Sequence, residues 1–300
     1  MTPTATEDSS QGPAYSKTQL NTVNRYRGRG MFVLYPSHSP RYGDFVLTLS
    51  SQGQYEYEQV YPIIDEAPIL HVGFHSSPDQ EGFEFPVILP MLGCTGIFHQ
   101  QQDDDGRRFI YLHGYVSARI MRLSRAGDQV GSETATEASG IPVCISATIM
   151  DGIVLALTPN HSSCNYRSVV AYGYAQVVED EDERLFAMEL ITNNLVPDRW
   201  QNSRYPSKAE LKSTGILRID IASASAKVRT GTTGEAREDL KDEAMRKKVW
   251  AGVVPSRIVY GTPLASPTNM YPGTPEYIED WVAEWNEKVE RYSAEAGGLD

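Results

Sequence analysis

The stretch from Cys144 to Val178 constrains the fold more than any other. It holds two long β-prone runs, "CISATIMDGIVLALT" and "YRSVVAYGYAQVV", rich in β-branched, aromatic and small apolar residues. In the second run Tyr166, Ser168, Val170, Tyr172 and Tyr174 share one face, because side chains alternate along a strand. A chain that commits so much of its length to paired strands must build its core against a sheet. Asp151-Gly152 tolerates positive φ and reads as a type I′ turn, which predicts a hairpin centred there. On that reading the loop after the hairpin returns to the sheet end at which Ile141 begins.

Further strands are expected at Ile69 to Phe74, near Phe85 to Leu89, at Phe109 to His113 and at Gly215 to Ile221, with "SAKVRTG" as an edge or loop. Helices are expected from Glu56 to Glu66, closed by Pro68, from Pro206 to Ser213 and from Glu235 to Lys248. Another follows "EDEDE", whose carboxylates suit a helix start. Near the C-terminus Ile278, Trp281, Trp285, Val289 and Tyr292 recur at helical spacing and form a packing stripe. Six or more strands on short links, with helices collected at the edges, favour an α+β, mainly β antiparallel barrel over a doubly wound sheet. The division expected is a disordered tail over 1–20, a main domain over 21–255 and a C-terminal extension over 256–300.

Charge and composition narrow the function classes. A net charge of −12 and a pI near 5.0 oppose general binding to nucleic acid or anionic membranes, so any anion site is local. The basic cluster Arg25, Arg27 and Arg29 is short and reads as a solvated loop. The apolar region from Ile141 to Leu157 is short for a membrane span and is interrupted by Asp151. Three cysteines without a Cys-x-x-Cys pair, behind a start that lacks a secretory pattern, predict free thiols and a cytoplasmic protein.

Several catalytic patterns are missing. "RTGTTGEAR" lacks the Gly-Lys-Ser/Thr ending of a phosphate loop, Gly-x-Ser-x-Gly does not occur, and no histidine pair has zinc spacing, so no metal site is expected. Two constellations remain. In "FIYLHGYVSARIMRL" an apolar strand runs into a polar corner and a helix that Ser117 can cap, with Arg119 and Arg122 in its first turns. A helix start already carries unsatisfied N–H groups and partial positive charge, so cations there suit a bound anion, with His113 and Ser117 as further donors. The alternative is a surface helix whose arginines pair with acids. In "NHSSCNYRSV" the donors of His161, Asn165, Arg167 and Ser168 crowd before a strand and could meet a planar heterocycle, with Lys227 or Arg229 adding charge. The alternative is an ordinary polar turn.

The order of "DEAPILHVGF", "FPVILPMLG", "IYLHGYVSARIMRL", "CISATIMDGIVLAL", "HSSCNYRSVVAYGYAQVVED", "SAKVRTG" and "VWAGVVP" resembles the pyridoxamine 5′-phosphate oxidase-like FMN-binding split-barrel proteins, including nitroimidazole-resistance-like members. The similarity covers roughly Tyr55 to Pro255. It implies a six-stranded antiparallel Greek-key split barrel with flanking helices, a homodimer with flavin at the interface, and FMN-dependent oxidoreduction of a small organic substrate. It further implies that Ser117 and Arg119 hold the FMN phosphate, while His113 and the backbone at Val87, Ile88 and Leu89 line the ring and ribityl chain. His161 and Tyr166 are the first candidates for catalysis. The same fold also fits a non-catalytic flavin- or haem-binding protein, with His71, His75 and His161 as haem candidates, or a deazaflavin-dependent reductase. The oxidases carry an Arg and a Lys around the strand that here reads "FPVILPM", and the absence of both argues against vitamin B6 phosphate oxidation.

Overall fold

A computed structural model describes residues 57–75, 85–98, 107–129 and 140–298. The expected tail (1–20) and the cluster Arg25, Arg27 and Arg29 lie outside the described residues. Eight antiparallel strands form one sheet: β1 (Leu70–Phe74), β2 (Val87–Met91), β3 (Gly93–Gly96), β4 (Phe109–Tyr115), β5 (Ile141–Leu155), β6 (Ser163–Val177), β7 (Thr214–Arg229) and β8 (Gly252–Pro255). Their order is β2-β1-β5-β6-β7-β4-β3, with β8 on the far end of β5. Eight strands replace the expected six. β2 and β3 lie on opposite margins of this order, yet Leu92 alone separates them in sequence. One residue cannot span a flat seven-strand sheet at roughly 4.8 Å per strand, so the sheet curls until its margins approach.

The central strands are long because their apolar alternation never breaks. β5, β6 and β7 run for 15, 15 and 16 residues. In β6 the even-numbered residues from Tyr166 to Tyr174 face outward as read, and Asn165, Val169, Ala171, Gly173 and Ala175 are buried. The hairpin expected at Asp151-Gly152 does not exist: β5 continues through it with a bulge. Asp151 is buried, and its carboxylate accepts two hydrogen bonds from Arg167 (3.1 and 3.0 Å). A Cβ on Gly152 would meet the carbonyl oxygen of Val254 in β8 at 3.1 Å. Asp151 is thus consumed by a buried ion pair, and Gly152 by the close approach of another backbone. The reversal lies further on, at the 3₁₀ turn Pro159–His161, so the loop ends opposite Ile141 rather than beside it. "SAKVRTG" likewise belongs to β7 as far as Arg229.

The interior of the curl is filled by Ile110, Leu112, Ile145, Leu217, Ile219 and their neighbours, closed by Val60, Ile63 and Ile64 of α1 (Tyr57–Glu66) and by Ile120 and Met121 of α2 (Arg119–Gln129). Each such side chain contributes about 1.5–3 kcal/mol of burial. α3 (Glu181–Leu195) packs Ala187 and Ile191 on Cys94, Tyr111 and Ile216. Its start follows the expected logic: Asp180 accepts from the Glu183 N–H (2.8 Å), and three acids occupy the first turn. Ser207 and Glu210 form a capping box on α4 (Lys208–Ser213). The single charged helix expected to Lys248 is instead two, α5 (Arg237–Lys241) and α6 (Glu243–Lys248), because Asp242 caps the second by accepting from Met245 N–H. The C-terminal stripe lies on α7 (Glu276–Ala296), which packs on the sheet domain: Trp281 and Trp285 stack near Tyr260, and Tyr292 lies 4.0 Å under the Arg167 guanidinium. No described helix is long and apolar enough to cross a membrane.

Candidate functional site

The first constellation lies where β4 hands over to α2. The Ala118 N–H bonds the Tyr115 carbonyl (2.8 Å), and the Arg122 N–H bonds the Ala118 carbonyl (3.1 Å). Ala118 therefore stands at the cap position. Ser117, expected to cap, lies one residue earlier and is exposed. Arg119 is half-buried and Arg122 exposed, while Ile120 and Met121, fully buried, fix the rotation of the helix. No acid occupies the first turn of α2, the opposite of α3. Positive backbone partial charge, two guanidiniums and a hydroxyl thus share one corner without a carboxylate on the same turn, an arrangement receptive to a phosphate.

β2 borders this corner. Met91 approaches β4 so closely that its Cε would lie 3.6 Å from a Cβ on Gly114. Val87 and Leu89 point into the core, and Ile88 is 64% exposed. β2 pairs with β1 alone among the described residues, so the backbone of Val87, Ile88 and Leu89 presents one edge of N–H and C=O groups outside the ladder. His113, on β4, lines a cleft of about 490 Å³ with Leu92, Trp200, Thr214 and the bidentate Arg204–Glu210 pair (2.8 and 2.6 Å). Its Nδ1 is buried without a hydrogen-bond partner among the described residues, and burial holds the imidazole below its ordinary pKa, so it is neutral at pH 7. A second, more apolar cavity of about 570 Å³ lies on the outer face of the sheet, along Ile88, Cys144, Tyr172 and Tyr174.

The second constellation is elsewhere. Tyr115 pairs with Thr214 at one end of β7, and Ser168 pairs with Lys227 near the other, about 43 Å of strand away. Within one chain these groups cannot hold one flavin together. Many are also committed. Arg167 bonds Asp151 and Glu66 (2.6 Å to the latter), and its carboxylate partners hold its pKa up against burial. Asn165 is fully buried, donates to the carbonyls of Gly231 (3.0 Å) and Ala296 (2.8 Å), and accepts from Arg229. The Ser168 hydroxyl donates to the Lys227 carbonyl (3.3 Å). His161 is turned inward against Glu235. Tyr166 remains at the surface beneath the Lys227 ammonium, whose pKa burial pulls down to about 8. Most of these polar groups serve to fasten strands and α7. Sequence reasoning missed the Trp200–Arg204–Glu210 wall of the His113 cleft; its one legible signal was the Ser207-x-x-Glu210 cap, which places Glu210 on a helix start but not beside His113.

A curled antiparallel sheet, open along one seam and carrying a cationic helix start beside its edge strand, is a split-barrel protein. The sequence pattern described as pyridoxamine 5′-phosphate oxidase matches residues 56–228, more than half of the chain. The chain belongs to this pyridoxamine 5′-phosphate oxidase-like family. Among solved structures it is similar to the flavocytochrome Anf3 from Azotobacter vinelandii, at 27% identity over 76% of this chain and 91% of that one (TM-score 0.58). It is also similar to the FAD and heme binding protein from Mycobacterium smegmatis, at 25% identity over 77% and 98% (TM-score 0.59). No curated protein sequence matches it.

Proposed function

We propose that the protein binds a flavin nucleotide at the corner of β2, β4 and α2 and transfers hydride or electrons to or from a small organic substrate. The observation that carries this reading is the start of α2, whose first turn holds no acid and carries Arg119 and Arg122 next to Ser117, beside the edge of β2 that lies outside the described ladder. The donor set fits the group. A phosphate takes guanidinium forks and helix N–H groups, and the polar rim of an isoalloxazine takes strand-edge N–H and C=O groups. Family membership supports the reading, as do the two neighbours named for a flavin or a flavocytochrome. Once bound, the flavin supplies the one- and two-electron chemistry. The chain orients it, and His113, on β4 beside the corner, is neutral and adds no charge. The FMN monophosphate is the simplest occupant of the corner; FAD would place its pyrophosphate there.

The far-end donors Lys227 and Arg229 would reach the same flavin only from a second copy of the chain. In that arrangement the two copies would meet on the outer face of the sheet along Tyr172 and Tyr174, where an apolar cavity lies. Light scattering on the purified protein tests it, and a monomer that holds flavin tightly would refute it. Haem is the second reading, favoured by the buried, unpartnered and neutral Nδ1 of His113, since neutral imidazole is an axial haem ligand. An absorbance spectrum of the purified protein, with titration by FMN and by FAD, separates these readings: bands near 370 and 450 nm for flavin, a Soret band for haem. Mass of the released chromophore distinguishes FMN, FAD and deazaflavin. A protein that stays colourless in every titration sinks the reading.

A further inference from the structure

At the far end of the sheet, away from the flavin corner, one buried carboxylate lacks the cation that its counterparts have. Asp151 is matched by Arg167 at 3.0 Å and Glu183 by Arg218 at 3.2 Å. The Glu235 side chain is only 7% exposed, yet no Lys or Arg pairs with it among the described residues. Its Oε1 accepts from the Leu157 N–H (3.0 Å), while Oε2 is buried with no hydrogen bond among the described residues. The nearest group of opposite potential charge is the His161 imidazole, 5% exposed, with Nδ1 4.0 Å from that oxygen. An uncompensated buried carboxylate costs several kcal/mol, so the site calls for a positive charge.

A third ligand-type group completes the set. Ligand atoms of His161, Glu235 and Asp239 all lie within 4.8 Å of one another. Three points so spaced fit within about 2.8 Å of a common centre, so inward shifts of about 0.6–0.8 Å per side chain give the 2.0–2.2 Å of zinc bound to nitrogen and oxygen. The local backbone is suited to holding them. His161 ends the 3₁₀ turn, fixed by Pro159 and by a bond from its N–H to the Thr158 carbonyl (3.1 Å). The next residue, Ser162, accepts from the Ala156 N–H (3.2 Å). Glu235 immediately precedes Ala236, the cap of α5, and Asp239 lies in that helix's first turn.

We propose that His161, Glu235 and Asp239 bind one divalent transition-metal ion, with zinc as the reference case, tying the β5–β6 turn to the segment after β7. One imidazole and two carboxylates bring a net charge of −2 to a +2 ion, and a donor set of nitrogen and oxygen without sulfur suits zinc, manganese or ferrous iron. The sequence carries no zinc motif because His161 and Glu235 are far apart in the chain and are brought together only by the β6–β7 pairing.

The test uses the full-length protein, stripped with chelator and titrated with Zn²⁺ against a chromophoric competitor, and separately with Co²⁺ for its d–d spectrum. The expected result is one equivalent of Zn²⁺, a Co²⁺ spectrum of four- or five-coordinate intensity, and at least a tenfold loss of affinity in His161→Gln, Glu235→Gln and Asp239→Asn. Glu235→Gln retains an oxygen for Leu157, and Asp239 is half-buried on a short helix, so at least one variant remains folded for the comparison. Failure of the wild type to take up stoichiometric Zn²⁺, or equal Zn²⁺ affinity in His161→Gln and Asp239→Asn, would overturn the assignment. A wild type with only a His161–Glu235 ion pair would show the first of these results. Flavin titration of the same variants should be unchanged, so that loss of metal and loss of flavin are read independently.

Discussion

The two ends of the long strands β5, β6 and β7 use the same kinds of residue in opposite ways. At the Asn165–Arg167 end almost every donor meets an acceptor from its own chain: two carboxylates for Arg167, two carbonyls for Asn165, and the ring of Tyr292 stacked on the guanidinium. At the β4–α2 corner the arginines stand on a helix start without an acid, and the neighbouring strand edge is outside the ladder. Polar residues are therefore no guide to a site in themselves. What distinguishes the corner is a helix start with no acid in its first turn beside a strand edge outside the described ladder.

The strongest way to break this contrast is Arg167→Ala, which leaves the carboxylate of Asp151, 3% exposed, without its cation. The expected loss is about 3–5 kcal/mol of stability in urea unfolding, with flavin affinity of the surviving folded protein intact. If Arg167→Ala instead abolished flavin binding with little loss of stability, the two ends would have been assigned the wrong way round. Second in size, Ser117→Ala combined with Arg119→Ala should weaken flavin binding about 100-fold, near 2.7 kcal/mol, with an unchanged unfolding midpoint. Fluorescence titration reads the first quantity and thermal melting the second.

Lys227→Met probes the far end more gently. Burial lowers the ammonium pKa from its ordinary value to about 8, so the folded state holds fewer protons than the unfolded state between about pH 8 and the ordinary lysine range. The wild-type penalty is therefore fully present below about pH 8 and disappears as pH rises above it. The variant should be more stable by about 1 kcal/mol at pH 7, after allowance for half exposure, and indistinguishable near pH 11. A pH-independent difference would mean the methionine acts by packing alone. The smallest effect sharpens the corner itself: in flavin-free protein Arg119→Glu should stabilise α2 by about 0.5 kcal/mol, because it places an acid where α3 has three. The same substitution should abolish phosphate-dependent flavin binding, and a neutral outcome in both assays would remove the argument from helix polarity.

Much of this was legible in the chain. The outward face of β6, the acid-rich start of α3 and the aromatic stripe of α7 follow from local periodicity and capping, which act within a few residues. What failed were inferences that depended on partners distant in sequence. Asp151-Gly152 has the chemistry of a turn, and only Arg167 and Val254 reveal why it lies within a strand. Asn165 and Arg167 read as free donors because Ala296 and Glu66, their acceptors, are 131 and 101 residues away. The corner at Ser117 and Arg119 could be found because all its parts lie in one strand-to-helix segment. The cleft beside His113 could not, since α3 and α4 complete it.

Leu92 has a mechanical consequence. The two margins of the sheet are joined by a single residue, so at that point they cannot separate by more than about two Cα steps, roughly 7.6 Å. The seam is therefore clasped at its Met91 end, so any widening is a wedge that opens toward Val87. A flat guest would enter from the Val87 side and be stopped at the clasp, which sets both its depth and the direction in which it leaves.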